Sequence, residues 1–143
     1  MKARITWVRD RMFVGESGSG HTLVLGRADG PDGRSLCPSP MEVLLIGMGG
    51  CTAFDVVQIL EKSREPVQDC VAELEAERAP TDPKVFTKVH VRFIVTGRGL
   101  DPAKVDRAIT LSAEKYCSAS IMIGKTATIT HDFEIREPGT PPA

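Results

Sequence analysis

Four cysteines carry most of the chemistry open to this 143-residue chain: Cys37, Cys51, Cys70 and Cys117. A thiol reacts as its thiolate, so the useful question is which of them lies near positive charge or a helix amino terminus. Cys51 follows Gly47-Met48-Gly49-Gly50, whose missing side chains let another helix or a substrate come close to the backbone. It lies deep within its own helical stretch, so it would need a cation from elsewhere. Cys117 falls where one helical pattern ends at Tyr116 and a short one over residues 118–123 could begin; a helix starting there would favour its thiolate. Cys70 alternates with alanines and a leucine and reads as inert core, while Cys37 reads as an exposed loop thiol without a role. Unpaired cysteine is among the most buried residue types. Taken alone, Cys51 therefore leaves a core role and a reactive role both open.

Other chemistries find little support. His21, His90 and His131 are far apart, and no cysteine has a second one two or three residues away, so no metal site is expected. His131 falls on the apolar side of a strand pattern, as a core or interface histidine would. Gly15-Glu16-Ser17-Gly18-Ser19-Gly20 joins two strand patterns and opens no helix, which excludes a phosphate-binding loop.

The elements that must position the thiols can be read from periodicity. Residues 2–8 alternate, with Ala3, Ile5 and Trp7 on one side, as a half-buried strand does. Residues 12–16 and 21–25 flank Ser17-Gly18-Ser19-Gly20 and read as a hairpin. Residues 26–40, rich in Gly, Pro and Asp, predict an irregular loop that holds Arg34 and Cys37. Ser39 and Pro40 then form a helix-start signal. The stretch to Leu60 is apolar on every face, which predicts a helix buried all round. Two alternating segments around Thr81-Asp82-Pro83-Lys84 predict a long antiparallel hairpin. Asp101-Pro102 starts a second helix, with Val105, Ala108, Ile109, Ser112 and Tyr116 on its inner face. A last strand places Ala127, Ile129, His131, Phe133 and Ile135 on one side, and residues 138–143 read as a flexible tail. The order β-β-β-α-β-β-α-(α)-β describes an α+β chain in a single domain spanning residues 1–143. A helix apolar all round needs more cover than so small a chain supplies, which points to a homodimer sharing that helix layer.

Bulk properties narrow the function. With 18 basic and 19 acidic residues the formal net charge is −1, so no global field draws a polyanion and nucleic acid is not an expected partner. The amino terminus lacks a leader pattern and no apolar run reaches membrane-spanning length, so a cytoplasmic location away from membranes is expected. Scattered cysteines in a chain with ample core residues do not form a disulfide framework; a disulfide here would be transient and catalytic.

Three motifs carry a family resemblance: Ser39-Pro40-Met41-Glu42-Val43-Leu44-Leu45, Gly49-Gly50-Cys51-Thr52-Ala53 and Ala113-Glu114-Lys115-Tyr116-Cys117-Ser118. Together they resemble the two cysteine motifs of the OsmC/Ohr family. Phe93-Ile94-Val95-Thr96-Gly97 and Ile129-Thr130-His131 bring the chain closest to that family's YhfA-like branch. The resemblance covers nearly the whole chain. It implies an intertwined α+β homodimer with long central helices at its middle and two sites at the subunit interface. It also implies reduction of organic hydroperoxides: Cys51 attacks the peroxide, Cys117 closes a disulfide, and an external dithiol restores both, with no bound cofactor. Met41, Leu45, Met48, Phe54, Ile121 and Met122 are candidates for an apolar wall. Family members that reduce peroxides carry a glutamate directly after the proline, where it holds an arginine against the thiolate. Here that position is Met41, and Glu42 follows one residue later, turned by about 100°. Arg34, with Glu42, is the candidate charge support for Cys51; Arg9, Arg11 and Arg27 are weaker candidates. The departure keeps an alternative in play, a small-ligand-binding or thiol–disulfide-sensing protein on the same scaffold.

Overall fold

The computed structural model describes residues 1–27 and 29–139. It contains β1 (Ala3–Arg9), β2 (Met12–Ser17), β3 (Thr22–Gly26), α1 (Pro40–Lys62), β4 (Val67–Arg78), β5 (Phe86–Gly97), α2 (Pro102–Leu111), a π-helical turn (Ser112–Tyr116), α3 (Ser118–Ile123) and β6 (Thr128–Arg136). This is the expected α+β order, with the short third helix present. Contacts divide the chain into two compact units, Met1–Ile46 and Gly47–Ala143, and α1 runs continuously through the boundary.

In the first unit β1, β2 and β3 form an antiparallel meander, with Ile5 opposite Gly15 and Val14 opposite Val24. Gly26 ends β3 at φ 143°, and a Cβ there would lie 2.1 Å from the Arg11 carbonyl oxygen, so only glycine fits. The loop expected to be irregular is more ordered than its composition implies. Asp29 bridges Ser35, and the Gly30 amide donates to the Arg34 carbonyl. The Gly26 amide donates to the Pro38 carbonyl, folding the loop back along β3. Cys37, expected to be exposed, is consequently only 8% exposed. β1 departs from expectation in the opposite direction. Its alternation is real, but every residue is exposed in the single chain, Trp7 at 65%.

In the second unit β5 is the central strand, antiparallel to β4 and parallel to β6. A parallel pair needs a crossover, which residues 102–123 provide. Asp101 caps α2 through its Oδ1, which accepts from the Ala103 amide at 2.9 Å, and Pro102 occupies the first turn. Cys70, Ala72, Leu74 and Ala76 line the more covered face of β4, as their alternation requires. His131, expected as a core or interface histidine, is not in the core: it is exposed in the single chain on the outer strand β6.

α1 covers only one stripe: Met48, Gly49, Thr52, Val56 and Leu60 are buried. Its other faces, equally apolar, are open in the single chain, with Ile46 at 65% and Phe54 at 66% exposure. Within the single chain the expected burial is met on one face, because one protomer has a single layer to place against it. Gly49 meets the close approach its type implied: a Cβ there would lie 2.7 Å from Leu74 Cδ1 of β4. Gly47 and Gly50 have no described atom within 4 Å of such a Cβ. At 23 residues, with a mean hydropathy of 1.8 over its most apolar window, α1 is long and apolar enough to cross a membrane, which corrects the reading of the apolar run. Its contact with Leu74 and its buried polar Thr52 are features of a core helix.

Leu60 is fully buried at the end of the covered stripe. Leu60→Ala is expected to lower the unfolding free energy by about 2–5 kcal/mol in urea titrations. A loss below about 1 kcal/mol would place Leu60 outside the core.

Candidate functional site

Cys51 lies midway along α1, half-buried, on the turn that carries the buried Met48, Gly49 and Thr52. Cys117 lies at the junction between the π-turn and α3, wholly buried. The register of the second helix explains that burial. Helical spacing predicts Tyr116 on the inner face, but the chain widens into the π-turn, closed by the Cys117 amide donating to the Ser112 carbonyl at 2.9 Å. The extra residue per turn rotates Tyr116 outward to 51% exposure and swings Cys117 inward.

Two free thiols thus come together. The sulfurs of Cys51 and Cys117 and a carboxylate oxygen of Asp55 all lie within 4.8 Å of one another. Cys117 takes an extended conformation and caps α3 with its sulfur, which accepts from the Ser120 amide at 3.4 Å and the Ser120 hydroxyl at 3.1 Å. Burial pushes the Cys117 thiol above its ordinary value, and hydrogen bonding with Cys51 adds to the rise. The two donors from Ser120 pull the other way without cancelling it. Cys117 therefore holds its proton at neutral pH.

Asp55 was not singled out in the sequence, although a signal was present: it follows Cys51 by four residues and so shares its helix face. Ser112 falls on the inner face read for the second helix, as its burial confirms, but that spacing does not foretell its bond to Asp55. Its hydroxyl lies 2.9 Å from Thr52 Oγ1 and donates to Asp55 Oδ2 at 3.2 Å. If Thr52 donates to Ser112, the Ser112 proton is left for the carboxylate, and both buried hydroxyls are satisfied. Beside Asp55 opens a cleft of about 330 Å³, lined by Gln58, Ile59, Lys62, Ser63, Leu111 and Tyr116. Two thiols and one carboxylate bring three donor atoms within 4.8 Å of one another, one side chain short of the four that a structural zinc site uses.

The remaining candidates lie elsewhere. Arg34 and Glu42 belong to the first unit. Arg34 is exposed and pairs with Asp32 at 3.8 Å. Glu42 accepts from the Ser39 amide at 2.6 Å while Ser39 Oγ accepts from the Glu42 amide, a reciprocal capping box. The Ser39 amide, and after it the Ser39 side chain, hold the Glu42 carboxyl below its usual range. Of the apolar-wall candidates, Met48 is buried in the core, Met41 and Leu45 are half-buried, and Phe54, Ile121 and Met122 are exposed. Cys70 sits opposite Val95 in the sheet, and burial, then the charge of Asp69, raises its thiol from 9.0 to about 11.

The Cys70 shift has a measurable consequence. Native Cys70 is expected to react with iodoacetamide at pH 8 roughly a hundredfold more slowly than in the unfolded chain, because only the thiolate alkylates. Peptide mass spectrometry over time would check it, and equal rates would contradict the burial. The folded thiol keeps its proton to higher pH than the unfolded one. Its contribution to stability is therefore complete below pH 9.0 and is lost as pH rises toward about 11.

Comparison with known proteins bears on family and fold. Residues 30–132 match the family described as OsmC-like protein. Protein YhfA of Escherichia coli is 49% identical over 135 residues, which is 94% of this chain and 98% of that protein. A hypothetical protein from Aquifex aeolicus superposes with a TM-score of 0.83 at 25% identity, covering 95% of this chain and 96% of that one. A crystal structure described as an organic hydroperoxide resistance protein OsmC from Legionella pneumophila gives a TM-score of 0.66 at 17% identity, covering 93% and 95%, a likeness of fold. With the fold, the paired cysteine motifs and a relative at 49% identity in agreement, this chain belongs to the OsmC-like protein family.

Proposed function

We propose that this protein reduces organic hydroperoxides with the Cys51–Cys117 dithiol. The observation that carries the reading is the proximity of two free thiols, within 4.8 Å, one half-exposed and the other buried and protonated. Cys51 is the attacking thiol because it is the more accessible. Its sulfur takes the distal peroxide oxygen, the O–O bond breaks, and the alcohol leaves with the thiol proton, so Cys51 becomes a sulfenic acid. The Cys117 thiol then attacks that sulfur, forming a disulfide and releasing water. An external dithiol reduces the disulfide and returns both thiols, which requires no bound cofactor and suits a reducing compartment such as the cytoplasm.

A homodimer is part of this proposal. The open apolar faces of α1 and the uncovered β1 leave surface for a second copy to cover, and that copy would complete the wall that Phe54, Ile121 and Met122 leave exposed. Sedimentation analysis is expected to give a dimer of about 31 kDa from the 15.5 kDa chain. Phe54→Glu is expected to shift it toward monomer, and a monomeric wild type would remove this element of the proposal. Met41, at the position where a glutamate would hold a cation, favours a second reading, a protein that binds a small apolar ligand in the same cleft without turnover.

Stopped-flow mixing of reduced protein with cumene hydroperoxide tests the main reading. One peroxide is expected to be consumed per thiol pair, with no consumption in Cys51→Ser and a persistent sulfenic acid in Cys117→Ser. A Cys51→Ser variant as reactive as wild type would end it. An inert wild type that retains a small molecule in native mass spectrometry would select the second reading.

A further inference from the structure

We propose that Asp55 is the proton-transfer residue of the dithiol, taking the Cys117 proton as the disulfide closes and returning it to the group that leaves Cys51. The inference deepens the hydroperoxide reading and uses its second step. In that step Cys117–SH and Cys51–SOH become a disulfide and water. The sulfur–sulfur bond forms as the sulfur–oxygen bond breaks, so the thiol must lose a proton and the departing hydroxide must gain one. Asp55 accepts the first as a carboxylate and delivers it as a carboxylic acid, ending unchanged.

Three independent features place it there. Its oxygen lies within 4.8 Å of both sulfurs, a gap that a small side-chain rotation or one water closes. It is held in position by the Ser112 hydroxyl at 3.2 Å, itself anchored on Thr52, and Ser112 also closes the turn that delivers Cys117. Among the described residues it makes no ion pair, so its second oxygen is not taken up by a cation. The groups around it are Cys51 and Lys62 from α1, Cys117 after the π-turn, and Tyr116, which lines the same cleft. Lys62 donates to Gln58 Oε1. A lysine ammonium and a tyrosine hydroxyl carry protons at neutral pH and cannot accept another, whereas a carboxylate can. Cys117 is the thiol that needs such help, since it keeps its proton in this environment.

The test follows each step separately in wild type, Asp55→Asn, Asp55→Glu and Cys117→Ser. Reduced protein is mixed with one equivalent of cumene hydroperoxide and quenched with dimedone, which traps sulfenic acid, and mass spectrometry counts trapped sulfur and disulfide. In D55N the sulfenic acid on Cys51 is expected to form and then accumulate as it does in C117S, with disulfide closure slowed about a hundredfold. Closure in D55N should also steepen with pH as Cys117 must ionise unaided, and D55E should restore most of the rate. Asn keeps an oxygen for Ser112, and thermal melts would confirm that the fold survives. A parallel arm uses hydroxyethyl disulfide, whose mixed disulfide on Cys51 is also closed by Cys117 and needs the same proton transfer without peroxide. An inert wild type toward peroxide with normal D55N-sensitive closure in this arm would overturn the hydroperoxide reading and uphold Asp55. Closure in D55N as fast as in wild type in both arms, with an unaltered pH profile, would overturn the role of Asp55.

Discussion

The contact between Thr52 and Ser112 is the constraint on which the site depends. Both hydroxyls are buried, and a buried hydroxyl without a partner costs about 1–3 kcal/mol. They satisfy each other at 2.9 Å, and this selects one rotation of α1 against the π-turn. Cys51 precedes Thr52 and Cys117 closes the turn that begins at Ser112, so a rotation that broke the pair would also separate the thiols. Asp55, one helical turn beyond Cys51, completes the network from the same face.

The π-turn is the second half of that arrangement. An ordinary helix continued through Tyr116 would bury the tyrosine and leave Cys117 facing elsewhere. Widening by one residue reverses the two, and Cys117 gains partners in Ser120 while it starts α3. A π-turn has poorer hydrogen-bond geometry than α-helix, and such turns occur often where a side chain must be re-aimed for function.

The apolar character of α1 exceeds what one chain can cover. Length and hydropathy alone would suit a membrane, yet its buried stripe includes Thr52, and Gly49 admits Leu74 so closely that a Cβ there would have to displace the leucine side chain. The same surplus appears on β1, every residue of which is exposed in the single chain. Glu42 shows a related economy of reading: a carboxylate one residue beyond the expected position finds its partners in Ser39 and secures the start of α1.

The order of elements, the caps at Ser39 and Asp101, the alternation of β4 and β5, and the two cysteines proposed as the redox pair could all be read from the amino-acid sequence. These are legible because each follows from local rules of period, capping and side-chain type. Burial was legible only in part: α1 reads as apolar on every face, and neither the single stripe that one protomer covers nor the exposed β1 and the covered Cys37 can be told from the pattern. Tertiary structure alone decided the proximity of Cys51 to Cys117, the outward turn of Tyr116 and the partnership of Asp55 with Ser112. These depend on groups 57 or more residues apart meeting through one hydrogen-bonded register, and on a single extra residue in a turn. Neither leaves a mark in hydrophobic periodicity, because the helical pattern continues past Ser112 as though the turn were not there.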